Sequence, residues 1–201
     1  MPPTNHPGRE HQDASVKVLP YDTGWPAMFA SEKGLLKRVL YPWLAGDIEH
    51  IGSTAIPGMP AKPVIDIMAP VLSLDASRPS IEAVASAGYL YASYKPDVMH
   101  WFCKPSPQHR THHLHLVPMA SPLWRERLAF RDALREDSVF AREYADLKLR
   151  LAARFHFDRE AYTDAKGPFI AKVLGTLPGL TRDHISASAC FSCKARRNPV
   201  T

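Results

Sequence analysis

The segment at residues 64–71 (VIDIMAPV) constrains the fold more than any other part of the chain. It is almost continuously apolar, which is typical of a strand in the middle of a β-sheet. Asp66 interrupts the run, and an ionised carboxylate among apolar neighbours is costly unless it is paired, hydrogen-bonded or bound to a metal ion. A functional role is therefore the favoured interpretation of Asp66, and a salt bridge with Lys62 is the alternative.

A second strand is predicted at residues 47–51 (DIEHI), and it runs directly into Gly52, Ser53 and Thr54. Glycine allows a ligand to approach the backbone closely, and backbone amides together with a hydroxyl group can hold a phosphate. The carboxylate of Asp66 in the next strand is then placed to hold Mg²⁺ or Mn²⁺ that bridges this phosphate. A tight turn before a core strand is the alternative interpretation of the same pattern.

Patterns of both secondary-structure types alternate along the first part of the chain. Strands are predicted at residues 16–20, 47–51, 64–71, 89–94, 99–103 and 111–117, and helices at 26–40 and 80–87. After Pro118, apolar residues recur at helical spacing, which predicts two helices over residues 121–155 and a third over 158–176. This order indicates an α+β fold, a mixed β-sheet flanked by helices with a C-terminal helical pack.

Histidines cluster in the predicted strand at residues 111–117, directly after Arg110. Because side chains alternate across a strand, His113 and His115 project from one face and His112 from the other. Two imidazoles on one face can bind a metal ion, contact a phosphate or act as a general base. A pair of hydrogen-bonded core histidines is the alternative, and Arg110 is a candidate phosphate-binding residue beside them.

A further polar cluster lies in the predicted helix at residues 158–176. Tyr162 and Lys166 are four residues apart and share a helix face, so Lys166 can meet a phosphate, or it can pair with Tyr162 or a nearby carboxylate. Arg131 and Asp132 are predicted to form a buried ion pair that braces the helices. Most of the remaining charges in residues 124–154 are assigned to solvated helix faces.

The net charge of +5 invites a nucleic-acid hypothesis. However, residues 181–201 carry four basic residues against one acidic residue, so the rest of the chain is nearly balanced. Three cysteines do not make a disulfide framework and favour a reducing, cytoplasmic compartment; Cys190 and Cys193 are most simply two free thiols. The sequence has no apolar stretch long enough for a membrane helix and no secretory signal.

Taken together, the ordered segments resemble the GrpB family, which belongs to the nucleotidyltransferase-fold group. The resemblance extends over residues 16–178, and its strongest parts are residues 18–33, 48–67, 110–117, 124–132, 147–155 and 158–170. It implies a nucleotidyltransferase-like domain over residues 16–178. The flanking residues 1–15 and the basic tail at 179–201 are expected to be disordered.

By analogy with nucleotidyltransferases, Ser53 and its backbone would cradle a triphosphate, and Asp66 would coordinate a divalent metal ion. Met68 stands where the enzymatic pattern has a second carboxylate, and the stretch His113–His115 stands where it has a third. Glu49 and the histidines are expected to fill these places, and two-metal catalysis of the usual kind is in doubt.

Three functions follow as hypotheses. The first is a metal-dependent, nucleotidyltransferase-like transferase acting on a nucleotide or another phosphorylated or activated small molecule. In it Asp66 and Glu49 hold Mg²⁺ or Mn²⁺, and His113 or His115 is a general base or a supporting ligand. The phosphate is bound by Gly52, Ser53, Thr54, Lys62, Arg110, Tyr162 and Lys166. The second is a non-catalytic module that binds a nucleotide or a CoA-like ligand. The third is a tRNA-dependent transferase, for example in amino-acid condensation, whose basic tail adds affinity for RNA.

Overall fold

The structure is a computed structural model that describes residues 15–178. The expected disorder of residues 1–15 and of the tail at 179–201 therefore concerns segments that lie outside the described residues, apart from Ser15. The same holds for Cys190, Cys193 and the tail cations of the RNA hypothesis.

A five-stranded mixed sheet forms the centre of the described region. Its strands are β1 (Glu49–Ile51), β2 (Ile65–Val71), β3 (Leu90–Ala92), β4 (His100–Pro105) and β5 (Arg110–Pro118), in the spatial order β1-β2-β5-β4-β3. Strands β2 and β5 are parallel, and the other neighbours are antiparallel. The predicted interior position of β2 is confirmed, and all its residues except Asp66 are buried.

Helices cover both faces of this sheet. They are α1 (Trp25–Leu40), α2 (Leu74–Ser77), α3 (Ser80–Ala85), α4 (Pro122–Glu136), α5 (Ser138–Arg154), α6 (Arg159–Asp164) and α7 (Gly167–Leu174). Leu36 and Leu40 of α1 pack with Ile65 and Ile67 on one face. On the other face Met68 packs with Leu123 of α4, and α4 also contacts α5 and α7. The predicted α+β class with a C-terminal helical pack is confirmed.

Two predicted elements differ from the observed ones, and prolines explain both differences. Residues 16–20 form no strand; Leu19 makes an isolated bridge with Ala61, because Pro20 lacks an amide donor and Pro60 and Pro63 lie beside Ala61. The single helix predicted over 158–176 is divided into α6 and α7. Pro168 cannot donate to the preceding turn and stands at the start of α7 instead.

None of the described helices is both long enough and apolar enough to cross a bilayer.

Candidate functional site

Asp66, His113 and His115 meet on the face of the sheet that the C-terminal helices cover. Strands β2 and β5 are in parallel register with Asp66 opposite His113, so their side chains project to the same side. Nδ1 of His113 lies 2.8 Å from Oδ1 of Asp66, and Nε2 of His115 lies 4.0 Å from the same oxygen. The candidate ligand atoms of the three residues all lie within 4.8 Å of one another, a spacing that can hold one metal ion.

The two histidines stabilise the ionised form of Asp66. Burial raises the pKa of Asp66, but the hydrogen bonds and charges of His113 and His115 together hold it well below the usual range. Burial lowers the pKa of His115, and Asp66 offsets only part of this effect. The Asp66 side chain keeps 28% of its surface exposed, so an ionised carboxylate is within reach of a ligand.

His112 points to the opposite face, as the alternation predicts. It is buried, and its Nε2 lies 4.0 Å from the carboxylate of Glu32 on α1. The same carboxylate pairs with Lys104 of β4 at 2.6 Å. His112 therefore belongs to the packing of α1 against the sheet and is separate from the Asp66 group.

The predicted Gly-Ser turn lies directly against Asp66. Gly52 has φ +70° and ψ −172°, a conformation that is essentially confined to glycine, and a Cβ atom there would overlap the carboxylate of Asp66. Ser53 begins a short 3₁₀ turn next to Tyr144 of α5. Burial raises the pKa of Tyr144 to about 12, although the Ser53 side chain lowers it.

Thr54, a predicted phosphate ligand, is instead occupied inside the protein. It is 1% exposed, and its hydroxyl donates to the Val64 carbonyl oxygen at 3.1 Å. Nε2 of His50 lies 3.1 Å from the same hydroxyl, and the His50 ring stacks on Phe29. Thr54 therefore fixes the turn to the start of β2.

Four basic side chains come together beside the turn and Asp66, and we call them the cation cluster: Lys62, Arg127, Lys148 and Lys166. The ammonium groups of Lys62 and Lys166 lie 5.1 and 4.6 Å from the centre of the Tyr162 ring. Tyr162 is buried and forms the apolar support for both. Lys148 is 1% exposed, donates to the Pro60 carbonyl oxygen and lies 5.0 Å from the ring of Tyr144.

Burial makes the charged forms of Lys148 and Lys166 less favourable than they are in water. Burial lowers the pKa of Lys166 to about 7; the charges of Lys62, Lys148 and Arg127 lower it as well, while Asp66 raises it. Burial alone lowers the pKa of Lys148 to about 7. Within residues 15–178, neither Lys148 nor Lys166 has a carboxylate within 4.0 Å. An anionic ligand would therefore be strongly stabilised here.

Two other predicted site residues have structural partners. Glu49 of β1 forms an ion pair with Arg131 of α4 at 2.6 Å and is not a member of the Asp66 group of candidate metal ligands. Arg131 also pairs with Asp132 at 2.7 Å, but the Asp132 side chain is 44% exposed and lies on the same helix, so the predicted buried pair that braces the helices is wrong. Arg110 donates from Nε to the Pro107 carbonyl oxygen and lies 5.2 Å from the centre of the Trp101 ring.

Sequence reasoning missed three residues of this region: Arg127, Tyr144 and Lys148. The assignment of charges in residues 124–154 to solvated faces is wrong for Lys148, which is almost fully buried. The spacing of the residues could have predicted this burial. Tyr144, Lys148 and Leu151 are four and three residues apart, so they share one face of α5, and that face is buried.

Comparisons with known proteins agree with this fold. The family model described as "GrpB protein" matches residues 15–176. A UPF0157 protein of Pseudomonas aeruginosa is 39% identical over 176 residues, which cover 85% of this chain and 71% of that protein. The crystal structure of the conserved protein GrpB from Enterococcus faecalis superposes with a TM-score of 0.71 at 31% identity, covering 78% of this chain and 94% of that one.

A more distant relative carries an enzyme's name. The dephospho-CoA kinase of Mycolicibacterium paratuberculosis is 29% identical over 186 residues, which cover 80% of this chain and 46% of that enzyme. The match to the family model and the similarity to the Pseudomonas and Enterococcus proteins extend over nearly all of the described region. The chain therefore belongs to the GrpB family.

Proposed function

We propose that this chain is a transferase that binds the phosphate groups of a nucleotide or another phosphorylated small molecule between Ser53, Asp66 and the cation cluster. The observation that carries the proposal is the pair of lysines Lys148 and Lys166. Lys148 is almost fully buried and Lys166 is half-buried, and within the described region neither is paired with a carboxylate. Because uncompensated buried charge is unfavourable, a ligand with several negative charges is the partner that stabilises both ammonium groups.

The turn and the cation cluster have complementary roles in this proposal. Ser53 and the backbone amides of the turn approach the phosphate from the sheet side. Lys62 and Lys166, held in place by the ring of Tyr162, approach it from the helix side. Positive groups fixed in position before the reaction stabilise the charge that develops on phosphate oxygens during transfer.

The residues present also fit a divalent cation. Asp66 supplies a carboxylate oxygen, and His113 and His115 supply imidazole nitrogens, all within reach of one ion. When bound, such an ion would neutralise phosphate charge and make the phosphorus more electrophilic. Asp66 also lies close enough to Lys166 to raise its pKa, so a phosphate held by Lys166 would be near this ion.

A non-catalytic binding module is the second candidate, and a specific observation favours it. Met68, which stands where a second carboxylate is expected, is fully buried in an apolar cluster. Among residues 15–178, the candidate metal group contains a single carboxylate, that of Asp66. The similarity to a dephospho-CoA kinase supports a ligand that contains a nucleotide, whether the protein is a transferase or a binding module.

Calorimetric titration with ATP, CoA and pyrophosphate tests the binding part of the proposal. We expect Lys166→Gln to weaken binding at least tenfold, because it removes a charge that contacts the phosphate. Lys172→Gln is the matched control, since Lys172 is 55% exposed and pairs with Glu143 at 2.8 Å. If Lys166→Gln and Lys172→Gln bind as tightly as the wild type, the phosphate pocket is wrongly placed.

Asp66→Asn distinguishes the transferase from the binding module. The substitution keeps the shape of the side chain and removes its charge. If the protein is a transferase, the variant should retain nucleotide affinity within a few-fold but form no product. Product formation is measured by phosphorus NMR on mixtures of nucleotide and candidate acceptor alcohols. A wild-type protein that binds nucleotide yet releases no product with any acceptor would favour the binding module.

A further inference from the structure

We propose that Asp66, His113 and His115 form a site for one transition-metal cation, of the class of Mn²⁺, Fe²⁺ or Zn²⁺, in preference to Mg²⁺. This inference rests on the proposed function and defines the metal of that pocket. Its basis is the donor set: two imidazole nitrogens and one carboxylate oxygen lie within 4.8 Å of one another. Imidazole suits transition metals, whereas Mg²⁺ prefers oxygen ligands and retains several of its waters.

A second carboxylate, which would make the site suitable for Mg²⁺, is engaged elsewhere. Glu49 lies on the neighbouring strand β1, opposite Met68 in the antiparallel register. Its Oε2 is 2.6 Å from Nη1 of Arg131, and the same nitrogen donates to the His50 carbonyl oxygen at 3.0 Å. Arg131 is almost fully buried, so moving Glu49 to a metal ion would leave a buried guanidinium without this partner.

The orientation of the three side chains also favours one shared ion. The backbone at Gly52 lies against Oδ2 of Asp66, while Oδ1 faces both histidines. Nδ1 of His115 lies 3.4 Å from the sulfur of Met99, so Nε2 is the nitrogen turned toward Asp66. Nδ1 of His113 and Oδ1 of Asp66 are in hydrogen-bond contact, and a metal ion would replace the proton between them.

The surroundings of the site are apolar on the strand side. The Trp101 ring centre lies 5.2 Å from that of His113, and Met99 and Trp101 belong to the same buried cluster as Met68. An apolar shell limits the access of water to the site. Arg127 and Lys166 lie close enough to Asp66 for its charge to raise their pKa values, so their positive charges oppose a dication and metal binding is best measured with an oxyanion present.

The test is a titration of the full chain, treated with EDTA and then dialysed into sulfate buffer, with Co²⁺, Zn²⁺ and Mg²⁺. Co²⁺ also reports its ligands through visible absorption bands. We expect about one equivalent of Co²⁺ or Zn²⁺ to bind, and Mg²⁺ to bind at least one hundred times more weakly. Mg²⁺ affinity equal to that of Co²⁺, or no binding of any of the three ions, would overturn the inference.

Variants locate the ion, and the exposed His109 provides a matched control. We expect His115→Gln and Asp66→Asn to reduce Co²⁺ affinity at least tenfold and to remove the visible bands, while His109→Gln changes neither. Circular dichroism establishes that each variant is folded. Full Co²⁺ affinity in folded His115→Gln or Asp66→Asn would overturn the site.

Failure of this inference can be distinguished from failure of the proposed function. Binding of pyrophosphate is measured separately with EDTA present, where no metal ion contributes to it. Pyrophosphate binding without any metal binding overturns the metal site alone. Metal binding without any binding of phosphate compounds overturns the proposed function and leaves the metal site in place.

Discussion

The Cα atom of Gly52 lies against the carboxylate of Asp66, with no room for a side chain between them. Two independent features therefore require glycine at position 52. The backbone adopts φ +70° and ψ −172°, and the neighbouring strand brings a charged side chain to the same point. This contact joins the turn after β1 to the acidic residue of β2.

Gly52→Ala should therefore be strongly destabilising. The backbone conformation alone costs a residue with a Cβ about 1–3 kcal/mol, and displacement of Asp66 adds to this. Chemical denaturation measures the loss of unfolding free energy. Gly34→Ala is the control: Gly34 lies inside α1 with open space around it, and alanine there should raise stability by about 0.5–1 kcal/mol. Equal effects of the two substitutions would contradict the described contact.

Glu49→Gln should reduce stability without affecting metal binding. It weakens the ion pair with the nearly buried Arg131, and we expect a loss of about 1–3 kcal/mol in unfolding free energy. Asp132→Asn, which alters a more exposed partner of the same Arg131, should cost less than about 1 kcal/mol. A tenfold loss of Co²⁺ affinity in Glu49→Gln would instead make Glu49 a metal ligand.

Stability should rise between pH 7 and pH 9. Burial lowers the pKa of Lys148 to about 7, whereas the unfolded chain keeps this amine protonated up to its ordinary pKa of 10.5. In this window the unfolded state binds more protons, so the unfolding free energy increases with pH, by up to about 1.4 kcal/mol per pH unit for this lysine. Urea unfolding at pH 7, 8 and 9 measures the slope, and Lys148→Met should reduce it. An equal slope in Lys148→Met would assign the pH dependence to other groups.

Binding of a phosphate compound should take up protons above neutral pH. Near pH 8.5 the Lys166 amine of the free protein is mostly neutral, because its pKa is lowered to about 7, and a bound phosphate restores the charge. Titrations with metal-free ATP in two buffers of different ionisation enthalpy measure this uptake. We expect a smaller uptake in Lys166→Gln than in the wild type and in Lys172→Gln. Proton release, or no exchange, would mean that the phosphate does not contact Lys166.

Local pattern was sufficient for the interior strand β2 and for part of the site. The apolar run around Asp66 predicted an interior strand, and strand alternation predicted that His113 and His115 share a face. The parallel pairing of β2 with β5, which brings Asp66 opposite His113, joins residues 47 positions apart and leaves no local signal. The resemblance to a family, rather than periodicity, connected these segments.

The cation cluster was harder to predict because a charged residue on a helix usually faces solvent. Lys148 occupies a core position of α5 between Tyr144 and Leu151. Because a lysine is usually exposed, the sequence alone did not indicate that this position is buried. Glu49 presents the opposite difficulty. It lies on the strand next to Asp66, yet Arg131, which comes 82 residues later, neutralises it. In both cases the deciding contact belongs to the packing of the C-terminal helices against the sheet.

The most direct measurement of the central claim is a crystal structure of the full chain with a non-hydrolysable nucleoside triphosphate and Mn²⁺. The account predicts phosphate oxygens in contact with Ser53 and Lys166, and an anomalous manganese peak bounded by Asp66, His113 and His115. Nucleotide bound away from Ser53 and Lys166 would contradict it, and so would phosphates held without any contact to the cation cluster.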